Sequence, residues 1–284
     1  MTRRPVFALS AATLVMTAAG VGGAATPTAS AAPTTAPAGA ALTAARRPAP
    51  AYATPSRGGV RLRPTKSGAL SGRIVVVDPG HNGVYSRRIN TRLVPAGNGR
   101  RKACNTSGTA NARQSEHALV WAVATDLAAQ LRAKGATVVL TRPNDRGVGP
   151  CVDERAAIGN RAGADLVVSL HADGNTSRRA RGFHVIIAAR MKGGPEAVSQ
   201  SNALATHVAT GMRRAGMPRS TYLGDRRGID VRSDIAGLNL SRPPAVMLEM
   251  GNMRHPADAA LLARAPFRHK VAQGLTNAVV TSLR

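Results

Sequence analysis

Aromatic residues are nearly missing from this chain. Phe, Tyr and Trp make up 2% of its 284 residues, with a single Trp. Proteins that hold single-stranded nucleic acid stack bases on aromatic rings, so their scarcity argues against that partner. Acidic residues are also few: 14 Asp and Glu against 39 Lys and Arg, for a formal net charge of +25. Such an excess favours anionic partners without identifying one. Much of it also fits a solvated basic surface with no specific role. Cysteine is limited to Cys104 and Cys151. Their spacing from the histidines makes no compact Cys/His zinc motif. Long apolar runs are missing after the first two dozen residues, so nothing there is expected to span a bilayer.

What is present at the start has a pattern. Thr2-Arg3-Arg4 is a short basic opening, and Val6 to Gly23 is apolar and Ala-rich. Ala29-Ser30-Ala31 offers a small-residue cleavage site. These segments predict a secretory signal peptide over residues 1–31. Its removal would take away Arg3 and Arg4 and leave +23 of the +25. Residues 32–70 are dominated by Ala, Pro, Thr and Arg and predict a flexible tether. Residues 71–284 are expected to form a single catalytic domain of common size, and they show no internal repeat. Export places the chain outside the cytoplasm, further disfavours nucleic acid and permits disulfides. A lone cysteine pair there predicts one Cys104–Cys151 bond.

Short apolar strands alternate with helical periodicity from residue 73 onward. Strands are predicted at 73–78, 137–140, 165–170, 183–188 and 245–249. Helices are predicted at 115–134, 152–162, 197–215, 256–263 and 267–283. In the first helix Leu119, Val123, Leu127 and Leu131 recur at a four-residue step, which places them on one face. Only about ten residues precede the 183–188 strand, too few for a crossover helix, so an antiparallel or edge position is expected. The stretches 82–114 and 221–241 read as irregular. This alternation predicts a three-layer α/β/α domain around a mostly parallel, mixed sheet.

Four ionisable residues sit where a predicted strand ends or a helix begins: His81, Glu116, His171 and Glu249. Ligands of α/β sheets bind beyond the carboxyl ends of the strands, so these residues can converge. Two His and one Glu make a zinc set with one position open, and a further Glu can act as base. Each has a plainer explanation. Either histidine alone could be structural, Glu116 could simply favour the helix dipole, and Glu249 could pair with an arginine. For Glu116 the residues alone leave ligand and dipole roles even. Recurrence at strand ends favours the metal reading, because a buried ionisable group there needs a partner. His117, His184, His207, His255 and His269 lack that placement and are assigned no chemistry.

Four segments carry a resemblance to a known family. They are Val77-Asp78-Pro79-Gly80-His81-Asn82-Gly83, Ser115-Glu116-His117-Ala118, Val168-Ser169-Leu170-His171-Ala172-Asp173 and Leu248-Glu249-Met250-Gly251-Asn252. In this order, over roughly 73–284, they resemble the zinc-dependent N-acetylmuramoyl-L-alanine amidases of the type-3 family, especially exported actinobacterial members. The resemblance implies one Zn2+ per chain, held by His81, Glu116 and His171, with Glu249 as the catalytic glutamate. It also implies a sheet of about six strands, of which five are located above. The implied substrate is peptidoglycan or a muropeptide, with anionic wall polymers as possible contacts of the basic surface. The implied location is the periplasm, cell wall or medium, and the expected state is a monomer. Relatives that need a partner's activation carry an additional helix between the last His and the final Glu. That interval spans 78 positions here (249 − 171), and no inhibitory insertion is expected in it. The 82–114 loop is the expected site of any partial occlusion. Two alternatives stay open: another zinc peptidase or deacetylase of the wall, and a non-catalytic basic wall-binding or regulatory protein.

N-terminal sequencing of secreted protein should begin near Ala32. An intact Met1 on protein retained in the cytoplasm would contradict the signal-peptide reading.

Overall fold

The β-branched runs of the sequence become the middle of a seven-stranded sheet in the computed structural model, which describes residues 59–284. The elements follow in the order β1 (Val60–Leu62), β2 (Ile74–Pro79), α1 (Arg87–Thr91), β3 (Leu93–Pro95), β4 (Arg101–Ala103), α2 (Glu116–Ala133) and β5 (Thr137–Leu140). Then come α3 (Val152–Ala162), β6 (Leu166–Asp173), β7 (His184–Ala188), α4 (Gly194–Ala215), β8 (Ile229–Arg232) and α5 (Ala236–Asn239). The last three are β9 (Ala245–Asn252), α6 (Pro256–Leu262) and α7 (Ala265–Ser282). The expected signal peptide and most of the expected tether lie outside the described residues.

The sheet order is β1-β5-β2-β6-β9-β7-β8. Its central four strands, β5, β2, β6 and β9, are mutually parallel. β1 runs antiparallel to β5, and β7 runs antiparallel to β9. Successive side chains of a strand point to opposite faces. Val75 and Val77 therefore join one core, with Leu119, Val123, Leu127 and Leu131 of α2, Leu204 of α4 and Val271 of α7. Val76 joins the other, with Ile158 of α3 and Leu238 of α5. Helices on both faces make the three-layer domain that the alternating pattern predicts.

The sheet is one strand wider than the resemblance implies. β7 is antiparallel, as its short approach requires, but the edge beyond it is taken by β8, which pairs with it in parallel. β8 lies in a stretch read as irregular; Ile229 is its one buried residue, too weak a pattern to show. β1 falls within the expected tether. There, three residues pair with β5, Leu70 is fully buried, and the Leu70 N–H donates to the Lys134 carbonyl at 2.8 Å. Residues 60–70, expected to belong to the tether, are therefore part of the folded domain. A three-residue strand and one isolated Leu leave no periodicity to read.

The 82–114 stretch also holds structure: α1 and a hairpin in which Leu93–Pro95 pairs with Arg101–Ala103. Cys104 follows the hairpin and is bonded to Cys151, the residue that precedes α3. Among the described residues, no helix is long and apolar enough to cross a membrane.

Closing a 47-residue loop restricts the unfolded chain by ~4 kcal/mol in the chain-entropy account. The double variant Cys104→Ser/Cys151→Ser should lose up to about that much in urea unfolding. An unchanged midpoint would show that the hairpin is anchored without the bond.

Candidate metal centre and its cleft

The parallel ladder β2–β6–β9 delivers three of the four candidate residues to one place. β2 pairs with β6 through Pro79 opposite Leu170, and His81 follows two residues later. His171 and Glu249 are direct register partners across β6 and β9. The sequence places both at the ends of their strands, but β6 and β9 run on to Asp173 and Asn252. The register shifts just after His171. Glu116 comes from the first residue of α2.

Three ligand atoms meet there. His81 Nε2 lies 2.9 Å from Glu116 Oε1. His171 Nδ1 lies 3.0 Å from His81 Nε2 and 3.0 Å from Glu116 Oε1. Among the described residues this is the one cluster of His, Cys, Asp or Glu whose atoms could share a metal ion. Two of the three are oriented from behind. The Thr106 carbonyl accepts from His81 Nδ1 at 2.9 Å, which directs Nε2 into the cluster. Glu116 Oε1 accepts from the Ala172 N–H at 3.0 Å, and Oε2 accepts from the Thr109 N–H at 2.9 Å. Burial pushes the Glu116 carboxyl up, but hydrogen bonding to His171 and His81 outweighs it and holds the group well below the usual carboxylate range.

The cluster leaves no room for extra carbon. A Cβ on Gly80 would sit 2.3 Å from the His171 ring. One on Gly108, where φ is +78°, would sit 2.8 Å from Glu116 Oε2. His81 itself adopts φ +60°, the one positive φ on a non-glycine among the described residues. That conformation costs ~1–2 kcal/mol for an L-residue, so its surroundings must hold it.

The triad opens into a cleft of about 520 Å³, whose lining includes Lys102, Thr109, Asp173, Glu249 and Arg254. Segment 102–109, from the stretch read as irregular, thus supplies part of the wall. Glu249 Oε2 is buried and has no hydrogen-bond partner. Glu249 forms no ion pair among the described residues, so the plain salt-bridge explanation fails. Burial, then the neighbouring Asp173 and Glu116 carboxylates, push its pKa well above the usual range, with Arg232 pulling the other way. A bound cation would pull it down as well.

His184, assigned no chemistry from its sequence position, faces Glu249 across β7 and β9. Burial lowers its pKa, with Asp173 and Asp230 opposing. Tyr222 donates its hydroxyl to Asp173 Oδ2 at 2.6 Å. Burial and then that hydrogen bond raise its pKa. Asp78, at the end of β2, accepts from Arg155 Nη1 at 2.8 Å, Thr141 Oγ1 at 2.6 Å and Ser169 Oγ at 2.7 Å. Burial alone would raise its pKa; the Arg155 charge and these donors outweigh that and bring it to about 2. Nothing in the sequence singled out Arg155, Tyr222 or Thr106. Arg155 is one of many arginines, and Thr106 acts through its backbone.

A mixed α/β/α sheet with a His-Glu-His cluster beyond its parallel strands places a group that could bind a metal ion where α/β proteins hold their ligands. Residues 75–281 match the family model described as N-acetylmuramoyl-L-alanine amidase, and the chain belongs to that family. It is 40% identical over 215 residues to the N-acetylmuramoyl-L-alanine amidase Rv3717 of Mycobacterium tuberculosis, covering 74% of this chain and 86% of the relative. The crystal structure of the N-acetylmuramyl-L-alanine amidase Ami1 from Mycobacterium smegmatis superposes with a TM-score of 0.71. It shares 39% identity and covers 75% of this chain and 98% of its own. The apo form of Ami1 from Mycobacterium abscessus gives the same TM-score at 38% identity, over 75% of this chain and 100% of that one.

The Asp78 shift has a pH consequence. Its folded pKa of about 2 lies below the ordinary 3.8, so its stabilisation is fully present above about pH 4 and is lost as pH falls through about 2. The difference corresponds to ~2 kcal/mol. Denaturant unfolding between pH 5 and 2 should show that loss, and Asp78→Asn should flatten it. An equally steep profile in Asp78→Asn would place the acid sensitivity elsewhere.

Proposed function

We propose that this chain hydrolyses the amide between the lactyl group of N-acetylmuramic acid and the L-alanine of the peptidoglycan stem peptide. Family membership supports the bond, and the relatives named above carry that activity in their names. The observation that carries the mechanism is the set of three potential ligand atoms within 3.0 Å of one another, beside Glu249 on the wall of one cleft.

The donor set fits zinc. Family members are zinc-dependent in general. Two imidazole nitrogens and one carboxylate are the usual ligands of a catalytic site that keeps one position open. The Thr106 carbonyl accepts from His81 Nδ1, which leaves Nε2 facing the Glu116 carboxylate oxygen 2.9 Å away, where a metal ion can replace the proton that otherwise joins them. His81, Glu116 and His171 would hold one Zn2+. The ion supplies Lewis-acid activation of the amide carbonyl and of water.

Glu249 does the proton work. Its unpartnered Oε2 takes the proton from the attacking water and returns it to the nitrogen of the departing alanine. Two basic residues that line the cleft, Lys102 and Arg254, suit the anionic stem peptide. Export through the N-terminal segment would bring the enzyme to this substrate in the cell wall.

Incubation with purified muropeptides should separate intact stem peptide from the sugar, read by mass spectrometry. Cleavage within the peptide or loss of acetyl would identify a different zinc hydrolase, and binding without turnover a non-catalytic protein. Glu249→Gln should keep its zinc and lose ~10²–10⁴ in rate. His171→Ala should instead lose zinc. Near-normal turnover in Glu249→Gln would exclude it as the base, and zinc loss there would make it a ligand.

A further inference from the structure

We infer that Arg155 is a positioning residue for the metal ligand His81. The inference rests on the assignment of His81 to zinc proposed above. Arg155 stands in the first turns of α3 and is 5% exposed. Its guanidinium spans the whole turn that follows β2. Nη1 donates to Asp78 Oδ1 at 2.8 Å and to the Pro79 carbonyl at 2.8 Å. Nη2 donates to the His81 carbonyl at 2.6 Å and to Asn82 Oδ1 at 3.0 Å. Nε donates to the Pro150 carbonyl at 3.1 Å, which ties the fork back to its own loop. Arg142 approaches the same turn and donates from Nε to the Pro79 carbonyl at 2.9 Å.

This contact set answers what holds His81 at φ +60°. A left-handed residue between Gly80 and Asn82 turns its carbonyl away from the sheet ladder, where no strand partner can satisfy it. Arg155 Nη2 satisfies that carbonyl, while the Asp78 carboxylate fixes the rotation of the guanidinium. Asp78 is itself held by Thr141, which follows β5, and by Ser169 of β6. The imidazole is thus fixed from two directions: through its backbone by Arg155 and through Nδ1 by the Thr106 carbonyl. Only a planar fork reaches these acceptors at once; an ammonium is a point donor. Residues that orient ligands in this way set metal affinity, and their loss weakens binding ~10–100-fold.

Arg155→Lys keeps the charge beside Asp78 and removes the fork. Zinc affinity of the folded variant, measured by competition with a chelating dye, should fall ~10–100-fold. Val271→Ala, a core change in α7 remote from the cleft, serves as the stability control and should bind zinc like wild type. Asp78→Asn keeps the shape of the carboxyl and releases the guanidinium from its counter-charge. It should weaken zinc severalfold, and it carries the test if Arg155→Lys does not fold. Arg155→Lys within twofold of wild type, or an equal loss in Val271→Ala, would overturn the positioning role. His81→Ala separates the two readings. If it binds zinc like wild type, the ligand assignment fails and the positioning role fails with it. If it loses zinc while Arg155→Lys does not, only the positioning role fails.

Discussion

Two imidazole nitrogens and a carboxylate oxygen held within 3.0 Å of one another need positive charge among them, as shared protons or as a bound cation. His81 Nε2, Glu116 Oε1 and His171 Nδ1 are placed that way by three separate elements. The surrounding fold resists any relaxation of the arrangement. Glu116 is fixed by two backbone N–H groups, and the His171 ring lies against a glycine that has no side chain to displace it. The central parallel ladder is what allows this concentration, because it aligns the ends of β2, β6 and β9 at one edge of the sheet.

A second layer of charge supports the first. The Asp78–Arg155 pair is buried, and removing one partner of such a pair leaves an uncompensated charge that costs ~3–5 kcal/mol. Buried pairs of this kind contribute little net stability when intact. Their value here is positional: the cation faces the carbonyls of the turn that carries His81. The disulfide belongs to the same layer. Cys104 lies two residues before Thr106 and Cys151 four before Arg155, and the Val152 N–H donates to the Cys104 carbonyl at 2.8 Å. Both supports of His81 therefore hang from one covalent link.

The central strands and the main helices were legible because their signals are redundant. Val75, Val76 and Val77 are all buried, and α2 repeats its apolar residues through four turns. The candidate ligands were legible because ionisable residues at strand ends stand out, and because four short segments in order resemble one family. β1, β8 and the hairpin were not, since three or four residues with mixed burial carry no period. Arg155, Asp173 with Tyr222, and the Thr106 carbonyl were hidden for another reason. Their roles depend on partners 49 to 77 residues away or on a backbone atom, and neither is visible in local sequence. His184 shows the same limit: its register opposite Glu249 exists only once β7 pairs with β9.

The central claim is that these three side chains form the metal site of a hydrolase. Anomalous diffraction at the zinc absorption edge, from crystals of the zinc-loaded protein, tests it most directly. The account predicts one strong anomalous peak enclosed by His81, Glu116 and His171, with the Glu249 carboxylate facing it across the open side. A zinc-loaded crystal with no peak there, or with its peak on other side chains, would contradict it.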